Sequence, residues 1–233
     1  MNLIRKGHRN THRGVIGIEA AIVLIAFVIV AAALAFVVLN MGFATTQKAK
    51  TSITTALGEA GSSLSISGKV VGHSKILPYT NLTSIMIPVK LTSGGENVDL
   101  NTTRATISYL SADVEYNNIF TNGCTLNAGG PFTTPAAAWD YAETTLCIPA
   151  GQNPINGAVP LALTTAVIYW AVGGTNTILE QGEHAVVSLA FEPTSDAPVS
   201  LDKIKAELTV TGGATLTVER DIPNISSNVT DLG

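Results

Sequence analysis

The side chains suited to catalysis are few and scattered in this 233-residue sequence. Past residue 14 the histidines are His73 and His184, and no Cys/His cluster has the spacing of a zinc site. No G-x-S-x-G elbow, Walker loop or G-x-G-x-x-G turn occurs. The Gly-Gly pairs at 94–95, 173–174 and 212–213 read as turns. Glu96, Asp99 and Asn101 offer oxygen donors to a hard cation, but without EF-hand spacing they read as a solvated turn. A pair of carboxylates working in hydrolysis needs a cleft that nothing in the sequence favours. No enzyme activity, metal or cofactor is expected.

The remaining chemistry is that of modification, cross-linking and docking. Asn81, Asn101, Asn224 and Asn228 each open an Asn-x-Ser/Thr sequon without proline, so they are candidates for N-glycosylation on an exported surface. Cys124 and Cys147 are the only cysteines. In an oxidising space they can pair and close a loop worth about 3 kcal/mol on the chain-entropy account; the alternative is two separate buried thiols. Glu19 stands at the edge of an apolar run, where a carboxylate is costly unless it finds a partner.

That run must position everything else. Residues 20–39 read AAIVLIAFVIVAAALAFVVL, twenty residues without a charge, the length a helix needs to cross about 30 Å of hydrocarbon. It is apolar on every face, so it must be buried all round. Ahead of it, residues 1–14 hold Arg5, Lys6, Arg9 and Arg13 and no acid, while the other 219 residues hold 9 basic and 17 acidic side chains. The positive-inside rule puts the basic end in the cytoplasm and the acidic bulk outside. The run is too long for a secretory signal peptide, and its Ala-x-Ala triplets lie inside it.

Composition agrees. The chain is 46% hydrophobic and 13% charged, with a mean hydropathy of +0.34, which excludes a disordered chain. A net charge of -4 and a pI near 5.5 exclude a nucleic-acid partner.

The junction Arg13-Gly14-Val15-Ile16-Gly17-Ile18-Glu19 resembles the processing site of type IV pilin-like precursors. The stretch from Gly17 to Ile53 resembles the N-terminal segment of archaeal flagellins, the archaellins, most specifically in NMGFATTQKAK from Asn40 to Lys50. Residues 216–220 and the closing Asp231-Leu232-Gly233 are similar to archaellin ends. The resemblance implies a cut between Gly14 and Val15 by a membrane-embedded preflagellin peptidase, with Arg13, Gly14, Val15 and Gly17 forming the processing site. It further implies a structural subunit that passes from the membrane into an extracellular filament used for swimming. Its implied partners are copies of itself in a helical polymer, alone or with other archaellins, and the archaellum assembly platform and motor.

Packing of such helices relies on van der Waals contact and small residues. The assembly residues are assigned as Val15, Glu19, Ala20, Phe27, Ala33 and Phe36. Cleavage would free an α-amino group on Val15, one helical turn from Glu19. The alternative role for Glu19 is a headgroup-level residue favouring the helix N-terminus. Two other readings stay open: an archaeal adhesion pilin, and a membrane-anchored extracellular binding protein that never polymerises.

The expected fold class is α+β: one long N-terminal hydrophobic helix, then an antiparallel, immunoglobulin-like β-sandwich. The domains are a basic leader at 1–14, a helix at 15–62 and a β domain at 63–233. Beyond Asn40 the helix narrows to a stripe of Ala49, Ile53, Ala56 or Leu57, Ala60 and Leu64, with Gly58 and Gly61 as stop signals. Seven or eight strands are predicted, near 64–72, 85–91, 105–109, 113–120, 161–172, 184–192 and 203–218. Pro88 marks an edge or bulged strand. Residues 161–172 read as a strand buried on both faces, and Gly212-Gly213 as a hairpin turn. Missing βαβ alternation argues against parallel pairing. Residues 121–160, holding five of the ten prolines and both cysteines, read as an irregular insertion. Trp139 and Tyr141 there suit a short helix, as core plugs or as contacts to a neighbour.

Overall fold

The computed structural model describes residues 13–61, 64–75, 79–120, 123–127, 130–193 and 195–233. Residues 1–12 of the expected leader, and Pro78, lie outside the described residues. The chain divides into two compact units, Met1–Thr54 and Thr55–Gly233.

Helix α1 spans Arg13–Gly61, about 73 Å at 1.5 Å per residue. Alanine and leucine favour it, and in an apolar setting its internal hydrogen bonding satisfies the backbone. It runs through Gly58 and stops at Gly61. Leu64, the last position of the helical stripe and the expected start of the first strand, opens that strand.

The second unit contains β1 (Leu64–Ile66), β2 (Val71–His73), β3 (Ser84–Leu91), β4 (Val98–Asp99), β5 (Ala105–Leu110), β6 (Glu115–Tyr116), β7 (Cys124–Leu126), α2 (Pro135–Thr144), β8 (Thr165–Val172), β9 (Ile178–Leu179), β10 (His184–Ala190), β11 (Lys203–Val210), β12 (Leu216–Asp221) and β13 (Val229–Asp231). One sheet runs β13-β2-β3-β10-β8-β7, with β1 also on β3; a second runs β12-β11-β5-β6, and β4 pairs with β9. The two larger sheets close on one core. Ile85, Ile87, Val89, Ile168, Trp170, Val187 and Leu189 from the first share it with Ile107, Tyr109, Ala206, Leu208 and Val218 from the second. The outer face of the second sheet carries Lys203, Lys205, Glu207, Glu219 and Asp221, with Lys205 and Glu207 paired at 2.7 Å.

Residues 121–160 are more ordered than expected. Thr134 caps α2 by accepting a hydrogen bond from Ala137 N at 3.2 Å, and Pro135 follows in the first turn. The helix packs on the free face of the first sheet and makes a second core from Ala138, Trp139, Ala142, Leu126, Val167, Tyr169 and Val186. Trp139 is fully buried, and its indole N–H donates to Ser188 Oγ at 3.0 Å. This layer explains the doubly apolar pattern of β8: Ala166, Ile168 and Trp170 enter the first core, Val167 and Tyr169 the second. It also adds a parallel pair, β7 with β8, joined through α2 as a helical crossover allows. Cys124 of β7 is bonded to Cys147 beyond α2, with Cα atoms 5.9 Å apart.

Pro88 is not on an edge strand. β3 lies between β10 on one side and β1 and β2 on the other. The Pro88 carbonyl accepts from Ser67 N at 2.9 Å, in the gap between the end of β1 and the start of β2. The missing N–H faces that gap, so no ladder bond is lost. The hairpin of β11 and β12 forms with Leu208 opposite Leu216, and Gly212 takes the positive φ (82°) of its turn. The strand expected near 113–120 shrinks to Glu115–Tyr116, because Asn118 instead bonds the backbone of Phe120 through its side chain at 3.0 Å.

A buried carboxylate ties the sheets together. Asp196, 5% exposed, accepts hydrogen bonds from Tyr116 Oη at 2.7 Å, Ser195 Oγ at 2.6 Å and Thr164 Oγ1. Burial raises its pKa and the three hydroxyls lower it; the hydroxyls prevail and hold it below the usual aspartate value. A depressed folded-state pKa contributes stability above the unfolded value, lost as pH falls through the folded one. The resistance of the chain in detergent to denaturant should therefore fall as the pH drops below the ordinary carboxylate range. Asp196→Asn should be less stable at neutral pH and flatter over that range. A variant with the same acid slope as the parent would assign that slope to other carboxylates.

Candidate assembly surface

The sequence points to α1 as the working surface, and the structure leaves it open. Every residue from Gly17 to Leu57 is exposed, including the large apolar side chains from Ile18 to Phe43. Phe27 is 74% exposed and Phe36 67%. Nine residues apart, they project from opposite sides of a helix that turns 100° per residue. Ala33 lies on the same side as Glu19, some 40° away around the axis. The assigned assembly residues thus span an arc of about 200° around the axis rather than forming one narrow stripe. Removing such a surface from water is worth on the order of tens of kcal/mol.

Four hydroxyls of the distal half suit a dry setting, while Lys48 and Lys50 are its exposed charges. Thr45, Thr46, Thr51 and Thr54 each turn the hydroxyl back to a carbonyl four residues earlier: Met41, Gly42, Gln47 and Lys50. Those hydroxyls carry their own acceptors into any apolar surrounding. Glu19 is the acid of the proximal half, sharing a shallow groove with Ala20, Val23, Leu24 and Phe27. Arg13, Gly14 and Val15 are helical in backbone, so Val15 precedes Glu19 by one turn of the same helix.

The other sequence candidates fall in the second unit and do not converge. Asn224 and Asn228 are exposed. Asn81 is half-buried and its Nδ2 donates to Pro193 O at 3.4 Å. Asn101 is half-buried too, its Oδ1 accepting from Thr103 N at 3.1 Å. Asp99, the centre of the possible cation turn, is taken up by Arg104 Nε at 3.3 Å, Asn101 N at 3.0 Å and Thr177 Oγ1 at 3.2 Å. No group of three or more His, Cys, Asp or Glu suited to a metal occurs among the described residues. His73 and His184 stand at opposite ends of the first sheet, near Ser84 and Val172. Burial and then the charge of Lys75 lower the His73 pKa. Tyr141 is half-buried and rests on Phe132, ring centroids 5.5 Å apart. The Asp196 cluster was invisible in the sequence: Tyr116 and Asp196 are 80 positions apart, and no pattern links them.

A family profile described as archaeal-type flagellin matches residues 14–220. A probable flagellin 1 of Aeropyrum pernix is 35% identical over 213 residues, spanning 91% of this chain and 92% of that protein. A probable flagellin 2 of Archaeoglobus fulgidus is 32% identical over 210 residues, 84% of this chain and 90% of the other. Among solved structures, the archaeal flagellum of Methanospirillum hungatei aligns with a TM-score of 0.58 and 25% identity over 93% of this chain and 99% of that one. The archaeal flagellin FlaB1 from Methanocaldococcus jannaschii shares the fold at a TM-score of 0.54 and 13% identity, over 73% of this chain and 96% of that one.

If α1 must be buried on all sides, an acid within the run is not tolerated. Phe27→Asp places a charge that costs roughly 2.5–3.5 kcal/mol at a helix centre in lipid. It should cut the amount of chain in membrane and sheared surface fractions by about 10-fold or more. Quantitative immunoblotting of both fractions measures this, and parental levels in both would contradict the requirement.

Proposed function

The chain belongs to the archaeal-type flagellin family, and from that membership we propose how its two units work. It is a structural subunit of the archaellum filament, an extracellular polymer of its own kind. The observation that carries the assignment of roles is the apolar helix exposed all round. No single face of it can be satisfied by one partner, whereas a bundle of copies surrounds it. The flagellin match favours the archaellum over an adhesion pilus.

The precursor rests in the cytoplasmic membrane with α1 as its span. Four basic side chains ahead of the run hold the N-terminus on the cytoplasmic face, because moving them through lipid is costly. A preflagellin peptidase cuts between Gly14 and Val15, at the junction Arg13-Gly14-Val15-Ile16-Gly17 that resembles the processing site of type IV pilin-like precursors. The cut removes four positive charges and turns a chain of net charge -4 into a subunit of -8. It also releases the tether. The helix then moves from lipid into the filament core on the assembly platform. Both environments are dry, so little apolar solvation is lost, and close packing decides the balance. In the core, the new α-amino group of Val15 pairs with Glu19 in the same or a neighbouring chain and sets register. The β unit forms the outer surface, with glycans at the exposed Asn224 and Asn228 ahead of the engaged Asn81 and Asn101. A motor turns the filament for swimming; the subunit transmits force and performs no reaction.

N-terminal sequencing of subunits from sheared extracellular filaments tests this most simply. The expected first residue is Val15. Subunits with residues 1–14 intact, confined to membrane extracts, would contradict both processing and assembly. Glu19→Gln should be cleaved normally and still give several-fold fewer filaments, counted by electron microscopy. Parental filament yield would remove Glu19 from docking.

A further inference from the structure

Two leucines of the β unit occupy backbone positions that call for glycine. Leu146 has φ 60° and Leu201 φ 75°, the non-glycine residues with positive φ among those described. A bulky side chain there is a conformational outlier. Leu146 follows α2. Its N–H donates to Glu143 O at 3.1 Å, and Cys147 N to Ala142 O at 2.9 Å. These paired bonds make a Schellman ending, with Leu146 at the left-handed position normally given to glycine. Leu201 is the third residue of the turn Val199–Asp202, closed by Asp202 N to Val199 O at 3.3 Å and by Val199 N to the Asp202 carboxylate at 2.8 Å. Positive φ at that place in a turn calls for glycine or asparagine.

Neither leucine gains burial within the unit to offset its strain. Leu146 is 86% exposed and Leu201 84%. The Leu146 loop is pinned through Cys147 to Cys124. Both loops meet at the start of β3, where Thr83 Oγ1 donates to Pro154 O at 3.0 Å and Leu82 N to Pro198 O at 2.9 Å. This end of the sandwich is the one away from the Leu64–Leu91 pair at which the chain enters β1. Val159, Leu163 and Val199 are exposed here as well. So is the mouth of a cavity of about 160 Å³ bounded by Thr83, Pro154, Val159, Leu161 and Phe191, a size that takes a small apolar group.

We infer that Leu146 and Leu201 are docking knobs of the β unit, seated against the neighbouring copy of this chain in the same filament. The inference rests on the filament assignment above. A subunit repeated along a helix meets the same neighbours at every step, so a knob on one chain recurs at every such contact along the filament. The charged outer face of the second sheet, with Lys203, Glu219 and Asp221, is the face left to solvent. A residue chosen for the isolated fold would be glycine at both turns; leucine is explained by what it meets in the polymer.

Leu146→Gly, Leu201→Gly and the double variant separate the two roles. In depolymerised subunits in detergent, glycine relieves the backbone, so the thermal midpoint should stay or rise. In sheared filaments, each substitution should weaken subunit association by roughly 10-fold or more, read as a lower temperature of disassembly and a higher residual subunit concentration. Filaments that disassemble like the parent would overturn the inference. So would a parallel loss of midpoint in the depolymerised subunit, which would make the leucines structural. Parental disassembly with lost bundling between filaments would also overturn it and move the contact outside the single filament. Failure of the parent chain to yield filaments at all would instead strike at the assigned function.

Discussion

Everything in this molecule answers to one cost: about forty residues of helix, most of them apolar, cannot remain in water. The large side chains from Ile18 to Leu57 are all more than half exposed. Their burial is worth tens of kcal/mol, more than the 5–15 kcal/mol that typically holds a whole domain together. On the proposed function the helix moves from one dry environment, the membrane, to another, the filament core, and the chain's charges regulate that passage. Basic residues ahead of the run favour the membrane state. With the proposed cleavage, Glu19, Lys48, Lys50 and Glu59 are the charged side chains left in a helix otherwise built for packing.

The β unit meets the opposite demand, standing in water and bearing load on few charges. It does so with two cores on one sheet. The sandwich core lies on one face and α2, with Trp139, on the other, so β8 and β10 are covered on both sides. The bond between Cys124 and Cys147 ties the parallel edge strand β7 to the end of α2, and its loop closure contributes about 3 kcal/mol. The edges of the smaller sheet are a two-residue strand, β6, and a strand with Glu219, Arg220 and Asp221, β12. Short and charged edges discourage uncontrolled strand pairing, which matters for a subunit held at high local concentration beside its copies.

What the sequence made legible follows physical range. The helix was plain because composition alone specifies it, and its bounds moved by only a few residues. The β11–β12 hairpin was plain because Gly212-Gly213 and alternation are local. Residues 161–172 were read as a strand buried on both faces; the strand begins at Thr165 and its double burial ends at Trp170, and its cause, α2, was hidden in a segment that looked irregular. Pro88 was read as marking an edge or a bulged strand from one missing donor; the strand is not an edge, and a gap between two short partner strands accommodates the proline. The parallel β7–β8 pair could not be seen, since β7 has three residues, too few for a periodicity to register. Asp196 with Tyr116, and the left-handed Leu146 and Leu201, depend on contacts and dihedrals that no periodicity encodes.

The central claim is that α1 lies in the dry interior of the assembled filament. A single cysteine at Val30, introduced into the full chain and probed with a charged, water-soluble maleimide, tests it most directly. The account predicts no labelling in intact sheared filaments and full labelling once they are depolymerised. Rapid labelling in intact filaments would contradict it.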